Sequence, residues 1–160
     1  MLIRTATIAD LEQIAAVESA CFPKAEAATK EEFAERLKYY ADHFLLMFEN
    51  DTLIAFIDGM VTDTAYLTDE MYANASLQDD NGAWQMIFGV NTLPSHRRHG
   101  YAAELIQQFI ETAKAQKRAG LVLTCKDELV HYYAKFGFVD EGISSSTHGN
   151  VCWHQMRLAF

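Results

Sequence analysis

The feature that most constrains this fold is a basic, glycine-containing segment, Arg97 to Ala102 (RRHGYA), between two runs of different periodicity. The apolar, β-prone run from Trp84 to Thr92 predicts a strand before it. After it, apolar residues recur at three- and four-residue steps and predict a helix. A strand that turns into a helix directs unpaired backbone N–H groups and a positive dipole end at one point. We therefore expect a phosphate or pyrophosphate site here, where Gly100 permits close backbone approach and Ala102 leaves the first turn uncrowded.

The rest of the chain alternates between strand-like and helix-like patterns. Strands are expected over residues 2–6, 44–49, 53–61, 121–125, 142–147 and 151–158. Helices are expected from Thr7 or Asp10 to Cys21, from the capping box at Thr29 onward, from the basic segment to about Lys117, and over 128–135. The acidic connection 62–83 has the length of a lid and can contain a short helical piece. This order predicts an α/β fold, a mixed sheet with helices on both faces.

Length and composition narrow the class of protein. The 160 residues, half of them hydrophobic, suit a single domain over 1–160. A formal net charge of −9 without a polybasic run argues against nucleic acid or anionic membrane partners. Three widely spaced cysteines and scattered histidines predict neither a disulfide framework nor a metal site. No signal peptide or membrane-length apolar stretch is evident, so a cytoplasmic location is expected.

Two motifs give the chain a family resemblance. Arg97-x-x-Gly100-x-Ala102 resembles the R/Q-x-x-G-x-G/A pyrophosphate loop of the GNAT acyl-CoA N-acyltransferases, and residues 133–138 (YAKFGF) resemble that superfamily's tyrosine-helix-GF segment. Within the superfamily the chain is most similar to the arylalkylamine (serotonin) N-acetyltransferase group and its bacterial relatives. The supporting segments are 22–29 (FPKAEAAT), 53–59 (LIAFIDG) and 125–130 (CKDELV).

The resemblance implies a fold and a cosubstrate. It implies a GNAT fold whose sheet of about six or seven strands splays between the fourth and fifth strands. The pantetheine arm of acetyl-CoA would insert in that gap beside Val90, Asn91 and Thr92. The pyrophosphate would be held by the loop residues Arg97, Arg98, His99, Gly100, Tyr101 and Ala102. No metal is implied.

Acetylation of an amine needs an acid for the departing thiolate and a base for the amine. Tyr133 matches the family's tyrosine and is the expected acid, since a phenol stays protonated at neutral pH. It would also contact the cosubstrate. Tyr132 is interpreted as a packing residue. The donor to the carbonyl oxygen is expected to be a backbone N–H near Val90 or Asn91.

The base does not follow the family pattern. Vertebrate-type relatives carry two histidines on the strand before the loop. Here those places hold Met86 and Phe88, or Trp84 and Met86 in the other register. Glu26 is the first candidate for a base acting through water, and Asp58 is the second.

Three other kinds of residue are candidates for the site. His148 or His154 could supply the base if the fold brought either one there. Cys125 is interpreted as a small buried side chain. An apolar set could wall an amine pocket: Phe22, Phe56, Met60, Trp84 and Met86.

The function expected is therefore acetyl transfer from acetyl-CoA to the primary amine of a small aryl- or alkylamine by direct attack. Two alternatives stay open: a protein N-terminal or lysine acetyltransferase, and an acyl-CoA-binding module with weak catalysis. The long 62–83 segment favours a covered site over an open peptide groove. The expected partner is a small-molecule amine, and both monomer and homodimer remain open.

Overall fold

A computed structural model describes all residues, 1–160. It contains five α-helices: α1 Leu11–Cys21, α2 Lys30–Tyr40, α3 Asp69–Ala73, α4 Tyr101–Ala115 and α5 Val130–Ala134. It contains nine strands: β1 Leu2–Thr5, β2 Phe44–Glu49, β3 Thr52–Asp58, β4 Val61–Thr62, β5 Trp84–Ile87, β6 Gly89–Thr92, β7 Gly120–Cys125, β8 Val139–Ile143 and β9 His154–Ala159. None of the helices combines the length and apolarity that a membrane crossing requires.

The strands form two sheets that separate in the middle of the molecule. One has the order β1-β2-β3-β6 and the other β4-β5-β7-β9-β8. The predicted strand over 84–92 is interrupted at Phe88. Its first half pairs in parallel with β7, and its second half pairs antiparallel with β3. β6 and β7 therefore diverge beyond Ile87, which confirms the expected splay. Counting each interrupted run as one strand gives seven strands, as the resemblance implies.

Local sequence signals account for several element ends. The Thr29 hydroxyl accepts from the Glu32 N–H while Glu32 accepts from the Thr29 N–H, which confirms the capping box of α2. Asn50 and Asp51 both have positive φ and form the tight turn between β2 and β3. The run after Leu53 stops being a single strand at Gly59, where a β-carbon would lie 1.9 Å from the Met86 carbonyl oxygen.

Helices cover both faces of the sheets, as predicted. On one face the apolar sides of α1 and α2, including Ile14, Phe33 and Leu37, pack on β2 and β3. On the other face α4 contributes Leu105, Ile106, Phe109, Ile110 and Ala113 to a second core with β7. The α4 residues are those whose three- and four-residue spacing predicted the helix.

The C-terminal hairpin differs from its prediction. The strands run over 139–143 and 154–159, and the intervening segment is a long excursion instead of a tight turn at 148–150. Within it, Ser146 and the Thr147 N–H donate to the Asp69 carboxylate of α3. His148 Nε2 lies 2.8 Å from the Glu26 carbonyl oxygen. These contacts with α3 and with the α1–α2 connection hold the segment outside the hairpin, so that no tight turn forms.

Candidate active site

The loop after β6 leaves a set of backbone donors free at the start of α4. Gly100 precedes the helix with φ +80°, a left-handed conformation that favours glycine. The first helical bond runs from the Glu104 N–H to the Gly100 carbonyl, 3.0 Å long. The N–H groups of the three residues between them therefore lack partners within the helix. Open space lies in front of Gly100, since nothing approaches within 4 Å of where its β-carbon would be.

The side chains of this loop have separate environments. Arg97 Nε donates to the Thr92 carbonyl at 3.1 Å and ties the loop to the end of β6. Arg98 is exposed and has positive φ, and the exposed His99 ring stacks on Tyr101 with centroids 5.5 Å apart. The preceding His96 does not face the start of α4. It is instead engaged by Glu49 at 3.1 Å and by Ser95.

The edge of β6 that faces β7 carries unpaired backbone groups. The Leu93 N–H donates to Ile54 of β3, and in an antiparallel ladder the direction alternates at each residue. The backbone of Asn91 therefore faces β3, whereas those of Val90 and Thr92 face the gap. The Thr92 carbonyl accepts from Cys21 and Arg97, which leaves Val90 as the open position nearest the middle of the strand.

A cavity of about 310 Å³ lies beside this gap. We call it the central cavity. Its outer wall is aromatic. The Tyr72 ring packs on Phe88 at 4.7 Å and stacks on His148 at 5.3 Å, and His148 lies 6.2 Å from Trp153. Phe22 adds a fifth ring to the lining. Because Tyr72 belongs to α3, the 62–83 segment does cover the cavity.

A buried polar group, which we call the carboxylate cluster, forms the inner end. It consists of Glu18 from α1, Arg36 from α2, Asp58 from β3 and Asn91 from β6, all at most 6% exposed. Arg36 Nη1 donates to Asp58 Oδ2 at 3.1 Å, and Glu18 Oε2 accepts from the Ala28 N–H at 2.9 Å. The second oxygen of each carboxylate and both polar atoms of the Asn91 side chain have no hydrogen-bond partner. Buried polar atoms without partners point to a ligand or to water.

Three of these unpaired atoms lie close to Gly89, the residue at which the chain passes from one sheet to the other. A β-carbon on Gly89 would lie 3.0 Å from Asn91 Nδ2, 3.3 Å from Asp58 Oδ1 and 3.6 Å from Glu18 Oε1. Glu18 and Arg36 reach the surface of the central cavity, with Asp58 and Asn91 behind them. The inner end of the cavity therefore holds two buried carboxylates and one guanidinium, which is hydrogen-bonded to Asp58 and to the Tyr72 carbonyl.

Burial changes the proton affinity of both carboxylates. Burial, and then the charge of Asp58, raise the pKa of Glu18 to about 7. Burial raises the pKa of Asp58 to about 6, although the nearby Arg36 lowers it. Both groups are therefore able to exchange a proton near neutral pH.

Sequence reasoning did not select Glu18, although the sequence contains a signal for it. Glu18 is four residues after Ile14 and seven after Leu11, on the apolar stripe of α1. Arg36 likewise interrupts the stripe of Phe33 and Leu37 on α2. A charged residue on the inward face of a helix is rarely buried unless it is paired or functional.

On the opposite side of the cavity lies Tyr133. It is buried, lines the cavity and packs edge-on against Tyr132 and Phe138. Burial raises the pKa of its phenol well above the ordinary value, so it is protonated at neutral pH. Burial also raises the pKa of the neighbouring Cys125 thiol to about 12, which agrees with an inert cysteine.

The other candidate bases have different surroundings. Glu26 lines the cavity, where its Oε1 lies 2.8 Å from Lys126 Nζ in an ion pair. His148 also lines it, whereas His154 lies outside and pairs with Asp127 and Asp140.

The expected apolar walls are mostly elsewhere. Of the five residues expected there, only Phe22 lines the cavity. Phe56, Met60 and Met86 are fully buried in the core, and Trp84 packs under Arg157 on the outer surface. They lie in or against the same apolar core as the cavity residues Tyr72 and Phe88, but not on the surface of the cavity.

Comparison with known proteins gives a consistent result. The family model described as acetyltransferase (GNAT) domain matches residues 2–139. Serotonin N-acetyltransferase from Mesocricetus auratus is 29% identical over 115 residues, which is 70% of this chain and 53% of that protein. The chain thus aligns with only about half the length of that relative.

Two solved structures share the fold at low identity. The loading GNATL domain of CurA from Lyngbya majuscula superposes with a TM-score of 0.85 at 15% identity, covering 99% of this chain and 96% of that one. A GNAT-like decarboxylase, GphF, solved with isobutyryl-CoA, also gives 0.85 at 18% identity, covering 99% of both chains. Together with the match of the family model over most of the sequence, the splayed sheet and the loop at the start of α4 lead to one conclusion: the chain belongs to the GNAT acetyltransferase domain family.

Proposed function

We propose that this protein transfers an acetyl group from acetyl-CoA to the primary amine of a small aryl- or alkylamine. The observation that carries the proposal is the convergence of three features at Gly89 and Val90. The open edge of β6 leads from the loop at α4, the aromatic cavity opens beside it, and the carboxylate cluster closes its inner end.

The residues present fit a coenzyme A thioester. Free N–H groups at the start of α4, with Arg97 and Arg98 beside them, suit a pyrophosphate. The unpaired backbone of Val90 suits an extended amide-bearing arm, as an unpaired strand edge does. The loop residues and Val90 are the ones expected from the resemblance, and Thr92 adds its N–H. Asn91, which was also expected beside the arm, pairs its backbone with β3 and has a fully buried side chain.

The central cavity suits an amine with a flat or apolar body. Rings of Phe22, Tyr72, Phe88, His148 and Trp153 supply an apolar wall that also tolerates positive charge. Two carboxylates against one guanidinium leave the inner end with a surplus of negative charge when both are ionised. An ammonium group is therefore expected to point toward Glu18.

In the proposed reaction Glu18 is the base instead of Glu26, because Glu26 is paired with Lys126. Acetyl-CoA supplies an acetyl group activated as a thioester. Glu18 takes one proton from the ammonium, directly or through a water molecule, and the nitrogen lone pair forms the new bond to the carbonyl carbon. The Val90 N–H faces the developing negative charge on the carbonyl oxygen. As the carbon–sulfur bond breaks, Tyr133 gives its proton to sulfur and recovers the surplus proton of the new amide nitrogen. Glu18 then releases its proton to solvent.

The covered cavity argues against a peptide acceptor. A protein substrate needs an open groove along the splayed strands, whereas α3 and the 144–153 excursion meet over this cavity through Asp69. An acyl-CoA-binding module without catalysis would have no use for the buried carboxylates, whose burial costs folding free energy.

The direct experiment is thiol release from acetyl-CoA with matched amines. We expect phenethylamine and ethylamine to accelerate release and to yield the N-acetyl products by mass spectrometry. N,N-dimethylphenethylamine has the same ring and charge but cannot form a stable amide, so it serves as the control. Release that no primary amine accelerates, or acceleration only by a peptide N-terminus, would overturn the proposal.

A further inference from the structure

The carboxylate cluster contains more than a base needs. Only Glu18 and Arg36 reach the central cavity, yet Asp58 and Asn91 are completely buried behind them. The four residues come from four separate elements, α1, α2, β3 and β6. Burying a second carboxylate and its guanidinium is costly, so their presence calls for a role beyond packing.

The geometry joins the two carboxylates to each other. Asp58 Oδ1 and Glu18 Oε1 both lie near Gly89, where neither makes a well-formed hydrogen bond and the nearest donors are the Asn91 amide for Glu18 and the Gly89 N–H for Asp58. The other oxygen of each is committed, Asp58 Oδ2 to Arg36 and Glu18 Oε2 to the Ala28 N–H. Two buried carboxylates near one point, with a single cation that pairs only with Asp58, cannot both hold a full charge cheaply, so the pair favours one shared proton.

We propose that Asp58 and Arg36 are positioning residues for proton transfer, holding Glu18 as one member of a carboxylate pair that shares a single proton. The inference rests on the proposed function, in which Glu18 receives the proton of the amine. In the pair, Asp58 strengthens Glu18 as a base through repulsion, while Arg36 keeps the pair charged enough to accept a proton. Glu18 alone touches the substrate.

Other charged and titratable groups around Glu18 lie on each neighbouring element. Cys21 on α1, Glu32, Arg36 and Tyr40 on α2, Asp58 on β3 and Tyr72 on α3 lie near Glu18 or its two charged neighbours, and the Glu26–Lys126 ion pair and His148 line the same cavity. Burial holds the pKa of both tyrosines above the ordinary value and raises that of the thiol, so these three stay neutral near pH 7. Arg36 and Asp58 are therefore the groups whose substitution changes the field at Glu18 most directly.

The test uses substitutions with opposite expected effects. In Asp58→Asn the repulsion is lost and Arg36 has only Glu18 to neutralise, so the acid limb of kcat/KM should move to lower pH by about one unit. In Arg36→Gln the cation is lost, so the limb should move to higher pH. Arg36→Lys keeps the charge and should keep the wild-type limb near pH 7. A purely structural role would lower kcat/KM at every pH without moving the limb.

A second measurement stands apart from catalysis. Carbon-13 NMR of protein labelled at the glutamate side-chain carboxyl carbon follows the Glu18 carboxyl, which the Glu18→Gln variant assigns. The midpoint of its pH titration should lie near pH 7 in the wild-type protein and at lower pH in Asp58→Asn. This titration can be measured even if no amine is acetylated. It also takes the place of the Arg36→Gln result if that variant does not fold. A midpoint and an acid limb that stay in place in Asp58→Asn would overturn the carboxylate pair, whereas failure of thiol release alone would overturn only the acetyl transfer.

Discussion

The pyrophosphate-type loop and the central cavity are built in opposite ways. The loop is a contiguous stretch of six residues, 97–102, whose useful groups are backbone N–H donors at a helix start. The cavity takes its lining from α1, α2, α3, α5, β6, β7 and two long connections, and its useful groups are side chains. A backbone site depends on local conformation, whereas a side-chain site depends on how distant elements pack. The two halves of one acyl-transfer site therefore respond differently to substitution.

The largest effect is expected at the cavity. Glu18→Gln should lower kcat/KM for a primary amine by roughly 10² to 10⁴, the usual contribution of a general base. Coenzyme A affinity, measured by calorimetry, should be unchanged because Glu18 has no hydrogen bond or ion pair with the loop residues. Glu26→Gln is the matched control, since that carboxylate lines the same cavity but pairs with Lys126. If Glu26→Gln were the more damaging change, the base would be Glu26.

A substitution in the loop should impair coenzyme A binding, whereas the substitution in the cavity leaves it unchanged. Gly100→Val should weaken coenzyme A binding by at least about 100-fold. The side chain is strained at φ +80° and occupies the space before the free N–H groups. Gly142→Val is the control, because Gly142 on β8 has φ +95° and open space but lies away from the site. Calorimetry on both variants separates backbone strain from loss of the anion site. Equal coenzyme A affinity in the two would refute the loop assignment.

The same contrast explains how much could be predicted. The loop and the helix α4 were predicted from residues 84–113, because their signals are local, whereas the splay was predicted only through the family resemblance that the two motifs carry. Glu18 was not selected, because its role depends on contacts with Asp58 and Asn91 that are 40 and more residues away in the chain. The excursion over 144–153 was also mispredicted, since its contacts with Asp69 and Glu26 are entirely tertiary.

Substitution of Tyr133 tests whether the loop and the central cavity act in the same reaction. Tyr133→Phe should lower kcat by roughly one to three orders of magnitude, as for loss of a general acid, and leave coenzyme A affinity intact. Tyr132→Phe, the neighbouring and half-buried ring, is the control and should change kcat little. Full turnover in Tyr133→Phe would remove that residue from the mechanism.

The aromatic wall should affect specificity more than rate. His148→Ala removes the ring stacked on Tyr72, and we expect KM for phenethylamine to rise by about three- to tenfold, the value of one aromatic contact. KM for ethylamine should change far less. His131→Ala, on the exposed surface of α5, is the control. Equal changes for the two amines would mean that His148 does not contact the ring of the acceptor.

The smallest effect concerns stability. Because the folded protein raises the pKa of Glu18 from 4.5 to about 7, the folded state binds the proton more tightly than the unfolded state. Its contribution to stability therefore falls as pH rises from about 4.5 to 7. Glu18→Gln should raise the free energy of unfolding at pH 8 by up to about 2 kcal/mol, and the gain should vanish near pH 4. Thermal denaturation at the two pH values measures this. A loss of stability at pH 8 would contradict the buried, charged carboxylate.

The central claim is that the loop and the central cavity bind the two ends of one coenzyme A thioester, whose acyl group lies at Gly89 and Val90. A crystal structure with a non-reactive acetyl-CoA analogue tests it most directly. We expect the pyrophosphate on the N–H groups at the start of α4, the arm along β6, and the acyl carbonyl oxygen within hydrogen-bond reach of the Val90 N–H at the mouth of the central cavity. An analogue bound with its acyl group away from that cavity would contradict the account.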